Sequence, residues 1–255
     1  MIEEKKKDGS SKLFAPLLVV IAASLWAVDG IVLRPSLYSL PVPLVVFVES
    51  AIVAILLTPF FIKRFSSLKQ LKKKDWLAFF GVALLGGAIG TMAITKALFY
   101  VNFVNLSVVI LLQKLQPVFA ISLATIFLKE KLPKEFFLWA GLAIVGAYFM
   151  TFGTTLPNFS TGDKTTIAAL FALLAAFSFS SSTVLSKRAL RNVDYEMGTY
   201  LRFLFATIIM LIIAASTGDI LSLPEITTKQ IIIFLIIAFT TGGAAIFLYY
   251  SGLKK

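Results

Sequence analysis

Five ionisable side chains fall inside long apolar stretches of this 255-residue chain: Asp29, Glu49, Lys96, Lys114 and Arg202. Ionisable groups at such positions are costly, by a few kcal/mol on insertion scales, so they face a partner or a water-filled cavity. Lys114 lies near the middle of its stretch, where stretching its head to an interface is hardest. Glu49 lies at a similar depth on another stretch, within ~5 Å at about 1.5 Å of rise per residue. The expectation is a Glu49–Lys114 pair across a central cavity. Asp29 and Lys96 sit near the ends of their stretches and are expected to be solvated at the interface.

A second constellation is uncharged. Asn102, Asn105, Gln113 and Gln116 are spaced by 3, 8 and 3 residues. At about 100° per residue they fall within about 80° of one another, a single stripe of a helix. Amides donate and accept, which suits a polar organic solute, but the same stripe could bind neighbouring helices together. Pro117 removes a backbone donor and should bend this helix, making it a candidate gate. Trp26 lies deep in its stretch and could stack on a flat solute. Tyr100, Tyr249 and Tyr250 fit interfacial positions better. The glycines Gly86, Gly87, Gly90, Gly242 and Gly243 fit close helix packing better than a hinge.

Other chemistry is missing. The chain has no His and no Cys, which removes the commonest general base and metal ligand, thiolate catalysis and disulfides. No P-loop is present, no carboxylate cluster suggests a metal, and no cofactor is expected. Ion coupling, if any, would fall on Glu49 or Asp29.

The elements that carry these residues are apolar helices. The composition is 58% hydrophobic and 15% charged, with a mean hydropathy of +0.91, against about a quarter charged in soluble domains. Eight stretches approach the roughly 20 residues needed to cross a bilayer. They are Leu13–Leu33, Val42–Ile62, Trp76–Lys96, Val104–Leu128, Phe136–Thr154, Thr165–Ser186, Glu196–Thr217 and Gln230–Leu253. They are too long and continuous for barrel strands. The expected fold is therefore an all-α polytopic membrane bundle of about eight helices. The first stretch is too long for a cleaved signal, and no small-x-small site follows it.

Charge sets the orientation. With alternating spans, 18 of the 24 Lys and Arg residues lie in the two tails and the second, fourth and sixth connections. Arg34, Lys164 and Lys229 fall on the other side. This positive-inside bias puts both termini in the cytoplasm of a plasma-membrane protein. It also assigns the net charge of +11 to topology and anionic lipid head groups rather than nucleic acid.

The sixth to eighth spans echo the first to third. Val32-Leu33 before Arg34 resembles Val184-Leu185 before Lys187-Arg188, and Gly86-Gly87-Ala88 resembles Gly242-Gly243-Ala244. A five-span unit must re-enter the membrane inverted in its second copy. Inverted repeats are typical of secondary transporters, whose substrate sites lie near the midplane.

Several motifs resemble the drug/metabolite transporter superfamily, EamA type. They are Ser24-Leu25-Trp26-Ala27, Lys96-Ala97-Leu98-Phe99-Tyr100 and Asn105-Leu106-Ser107. The most specific is Leu112-Gln113-Lys114-Leu115-Gln116-Pro117-Val118-Phe119-Ala120, running on to Leu128-Lys129-Glu130-Lys131-Leu132, followed by Gly141 and Gly146. Arg202 matches the Arg of the family's second half, while Glu49 stands where the first half usually carries Arg. The resemblance implies a ten-helix carrier of two inverted halves. Here it would comprise a tail (1–12), a first five-helix repeat (13–155) and a three-helix second repeat (164–255). The function it implies is a permease moving a small organic metabolite or drug-like solute by alternating access. The implied partners are the solute, the lipid bilayer and a homodimer or complementing subunit. Because the chain ends at Lys255, a truncated or partner-dependent product is the first rival. A membrane-embedded enzyme is the second. The solute-facing candidates are Trp26, Glu49, Asn105, Gln113, Lys114, Gln116 and Arg202, with Pro117 as the gate.

Overall fold

A helix that must satisfy its own backbone in an apolar medium leaves few choices, and no described residue lies in a strand. The computed structural model describes residues 16–62, 68, 71–101, 106–129, 131, 135–154, 164–191 and 193–254. Among the described residues eight long helical segments follow one another. We number them α1 (Pro16–Leu37), α2 (Val42–Phe61), α3 (Lys73–Tyr100), α4 (Val108–Phe127), α5 (Phe136–Phe152), α6 (Lys164–Ala189), α7 (Tyr195–Ser216) and α8 (Thr228–Leu253). All but α5 are long and apolar enough to cross a membrane, and α5 carries a shorter apolar stretch, Phe136–Gly146. Large apolar side chains such as Phe60, Ile126, Phe127 and Trp139 stay exposed on these helices. In water such a surface would be an aggregation liability; against lipid tails it is matched.

The chain forms two compact units, residues 1–83 with 186–255, and residues 84–185. In the first unit α2 lies along α7, and the second half of α8 packs on α7 as well. Near one end, Phe61 stacks on Tyr200 with ring centroids 5.4 Å apart, and Trp76 meets Phe205 edge-on at 5.9 Å. In the second unit Ala97 and Leu98 of α3, Val109, Leu112 and Leu115 of the α4 region and Ala168, Ala169 and Ala172 of α6 form one core. The alanines there let neighbouring side chains close in, as small residues do in membrane bundles.

Local chemistry sets the ends. Thr227 and Gln230 cap α8 reciprocally, the Thr227 N–H donating to Gln230 Oε1 at 2.9 Å and the Gln230 N–H to Thr227 Oγ1 at 3.3 Å, a capping box. The Gln230 amide also donates to Ser39 Oγ at 3.0 Å, which fixes the start of α8 to the α1–α2 connection. Gly218, at φ 79°, takes the left-handed turn that ends α7.

Among the described residues three helices contain π-turns. π-turns occupy Asp29–Leu33 in α1, Ala83–Ile89 in α3 and Ala238–Gly242 in α8. Two of these hold or adjoin the glycine pairs of the repeat. A Cβ on Gly90 would lie 2.8 Å from the Leu85 carbonyl oxygen, and one on Gly243 would lie 2.6 Å from that of Ala238. In each case the carbonyl belongs to the residue five positions back, which the wider π-turn brings close. The helices also approach closely here, since the same Gly243 position is 3.5 Å from Val53 of α2. Gly243→Ala should therefore cost about 1–3 kcal/mol through overpacking. Gly146→Ala, with nothing within 4 Å of the added atom, should be neutral or gain about 0.5–1 kcal/mol. Thermal unfolding in detergent checks both, and equal midpoints for the two variants would contradict the close approach.

Candidate functional site

The buried charges of the first unit meet at Arg34. In an ordinary helix residues five apart point about 140° away from each other, at 3.6 residues per turn. The π-turn removes that offset, because its backbone bonds run from i to i+5. The Arg34 N–H donates to the Asp29 carbonyl, and the two side chains then stack. Arg34 Nε donates to Asp29 Oδ2 at 3.0 Å, and Nη2 bonds the same oxygen. Nη2 also reaches across to α2, donating to Glu49 Oε2 at 3.1 Å. Asp29, Arg34 and Glu49 are 8, 4 and 8% exposed, so these are interior ion pairs. The positive charge of Arg202 on α7 also acts on Glu49.

This arrangement corrects three expectations. Glu49 has Arg34 as its ion-pair partner, where the sequence pointed to Lys114. Asp29 is buried and paired rather than solvated at an interface. Arg34 was counted among the connections, but the helix runs on to Leu37 and carries Arg34 inside it. α periodicity hides the Asp29–Arg34 pair, which only a π-turn joins, while the partner of Glu49 is set by the packing of α2 against α1.

A second polar group lies on α6, α7 and α8. The Tyr250 hydroxyl is 3.0 Å from Ser186 Oγ, and Arg202 Nη1 donates to it at 3.5 Å. Arg202 is thus buried against a tyrosine that the sequence assigned to an interface; Tyr250 is 1% exposed. Thr58 of α2 and Tyr200 of α7 add a further hydroxyl pair at 3.2 Å. Trp26 is 36% exposed and sets its ring 5.4 Å from that of Tyr249, tilted by 59°.

In the second unit the α4 region breaks at Lys114 and Leu115, between helical runs Leu106–Gln113 and Gln116–Leu128, with Pro117 in the first turn of the later run. Around the break the Leu115 N–H donates to the Leu112 carbonyl and the Val118 N–H to that of Leu115, a tightening that accommodates the missing proline donor. Gln113 and Gln116 are half-buried, and Lys114 is exposed. The Gln116 carbonyl accepts from Ser180 Oγ of α6 at 2.7 Å. Asn102 and Asn105 lie outside the described residues. Lys96 is exposed, its ammonium 5.2 Å from the centre of the Phe171 ring. Among the described residues no group of His, Cys, Asp and Glu could hold a metal ion.

Sequence reasoning missed Asp29, Arg34, Ser186 and Tyr250 as interior polar groups. A signal was available for the first two, since opposite charges five apart in an apolar stretch fit a π-turn. For the others none was, because Ser, Thr and Tyr are tolerated throughout membrane helices.

Comparison with known proteins accords with this architecture. Residues 13–152 and 166–255 match the EamA-like transporter family. The riboflavin transporter ImpX of Fusobacterium nucleatum is 48% identical over 239 residues, 93% of this chain and 80% of that protein. An uncharacterized transporter of Synechocystis sp. is 29% identical over 153 residues, 58% of this chain and 42% of its own length. Matches of this extent, on a bundle of membrane-length helices with buried charges, mean that the chain belongs to the EamA-like transporter family and is a multi-pass membrane transporter.

Proposed function

We propose that this transporter carries riboflavin across the plasma membrane by alternating access. The observation that carries the reading is the 48% identity to a riboflavin transporter across 93% of the chain. The chemistry of the candidate groups is compatible with it. Riboflavin is a flat tricyclic ring with an imide edge and an uncharged polyol chain. Such a solute needs aromatic surface and polar groups of both signs, buried enough to compete with water. Trp26 beside Tyr249 offers the aromatic surface. Glu49 and Arg202 offer charged acceptors and donors in the first unit. Gln113, Lys114 and Gln116, at the break in α4, offer amides and a cation in the second, and Asn105 completes the set proposed from the sequence.

The break before Pro117 is the proposed gate, since discontinuous helices are where transporters expose backbone to a cavity. The chain is read as two inverted copies, 13–155 and 164–255, whose rocking would provide alternating access. The distribution of Lys and Arg supports cytoplasmic termini.

Three tests follow. In proteoliposomes the purified protein should move riboflavin down a gradient in a saturable manner; flux no greater than in empty vesicles would remove the riboflavin reading while leaving the family untouched. For orientation, the cysteine-free chain permits single labels: Lys229→Cys should react with an impermeant maleimide in intact cells, and Lys187→Cys only after permeabilisation. The reverse pattern would invert the topology. Finally, Arg34→Leu leaves two buried carboxylates without their shared counter-charge. Breaking such pairs costs about 3–5 kcal/mol, so the variant should lose most of its folded yield in detergent, and full recovery of folded protein would show that the ion pairs contribute little.

A further inference from the structure

Arg34 directs both of its bonds to Asp29 at a single oxygen, Oδ2. The usual guanidinium fork would engage both carboxylate oxygens. Oδ1 is left buried with no hydrogen-bond partner, and among the described residues the only other buried side-chain oxygen or nitrogen in this condition is Thr241 Oγ1. A buried acceptor without a partner is a standing cost, and buried polar groups left so need an explanation. Both atoms sit in π-turns, Asp29 in that of α1 and Thr241 in that of α8, and such turns occur frequently at functional sites. The first half of α8, which ends just before the Thr241 turn, packs against the Asp29 turn.

The aromatic surface is close by. Trp26 precedes Asp29 by three residues on α1, so the two share a face about 4.5 Å apart along the helix. The free acceptor therefore lies one turn from the Trp26–Tyr249 ring pair, a separation that fits a flat ring against the aromatics with a donor at its edge. Two carboxylates and two guanidinium groups also balance here, counting Asp29, Glu49, Arg34 and Arg202, which suits a solute without charge.

Resting on the riboflavin reading above, we infer that Asp29 Oδ1 is a specificity-determining contact that accepts an N–H or O–H from the solute when the protein opens. The donor is either the imide N–H or a ribityl hydroxyl. Arg34 keeps Oδ2 occupied and thereby turns Oδ1 toward the solute, so Arg34 is the positioning residue.

Asp29→Asn tests this. Arg34 would hold the amide oxygen, leaving an NH2 group where the solute expects an acceptor. Binding is read from quenching of flavin fluorescence by the full chain in lipid nanodiscs, with three probes: riboflavin, 3-methylriboflavin, which lacks the imide donor, and lumiflavin, which lacks the ribityl hydroxyls. The expected result is an Asp29→Asn protein that still folds, with a thermal midpoint lowered by the loss of the buried charge, and tenfold or greater loss of riboflavin affinity. That loss should disappear for whichever analogue lacks the relevant donor. Unchanged riboflavin affinity, or an equal loss on all three probes, overturns the inference. If the amide variant does not fold, Asp29→Glu retains the counter-charge while displacing both oxygens, and carries the same expectations. Failure of the wild-type chain to bind riboflavin is a different result, and would count against the transport reading itself.

Discussion

One guanidinium holds together the polar interior of the first unit. Arg34 bonds Asp29 on its own helix and Glu49 on α2, and all three side chains are nearly closed to solvent. Each charge alone would be expensive in that setting, and removing any one strands the others. The constraint is therefore geometric as well as electrostatic. α1 must keep its π-turn for Asp29 and Arg34 to meet, and α2 must keep its register for Glu49 to reach Nη2. The close packing of α2 on α7 and of the α8 π-turn on α2 then positions Arg202 near the same carboxylate.

The π-turns share a physical logic. Each inserts one residue's worth of extra turn, so the helix face rotates and carbonyls approach residues five positions on. At Gly90 and Gly243 the approach leaves no room for a Cβ. Glycine there permits both the wide turn and the contact with a neighbouring helix, Phe179 in one case and Val53 in the other. Thr91 exploits the same geometry, its hydroxyl donating to the Gly86 carbonyl at 2.9 Å. Helices built this way lack the uniform ladder of backbone bonds that makes a membrane helix stiff, and in α1 the departure falls at the Asp29–Arg34 pair.

The second unit solves a different problem. Its irregularity is the break at Lys114 and Leu115, caused by a proline that cannot donate. Ser180 of α6 covers part of the consequence by donating to the Gln116 carbonyl. A serine on a neighbouring helix that satisfies backbone near a proline is how broken helices persist in lipid. The π-turn of α1 thus holds the Asp29–Arg34 pair, and the break in α4 lies beside Gln113, Lys114 and Gln116.

The sequence by itself determined the fold class and the broad function. Apolar runs of membrane length are dictated by bilayer thickness and by the need to satisfy the backbone internally, and both act along the chain without regard to neighbours. The motif around Gln113–Pro117 carried the family because it is local, and the break at Lys114–Leu115 follows from a local cause, the proline. The partners of the buried charges were decided only by tertiary structure. Whether Glu49 meets Lys114 or Arg34 depends on which helices pack together, and whether Asp29 meets Arg34 depends on one π-turn that α periodicity conceals. The burial of Tyr250 beside Ser186 and Arg202 was equally invisible, because a tyrosine near a helix end serves an interface or an interior according to what packs over it.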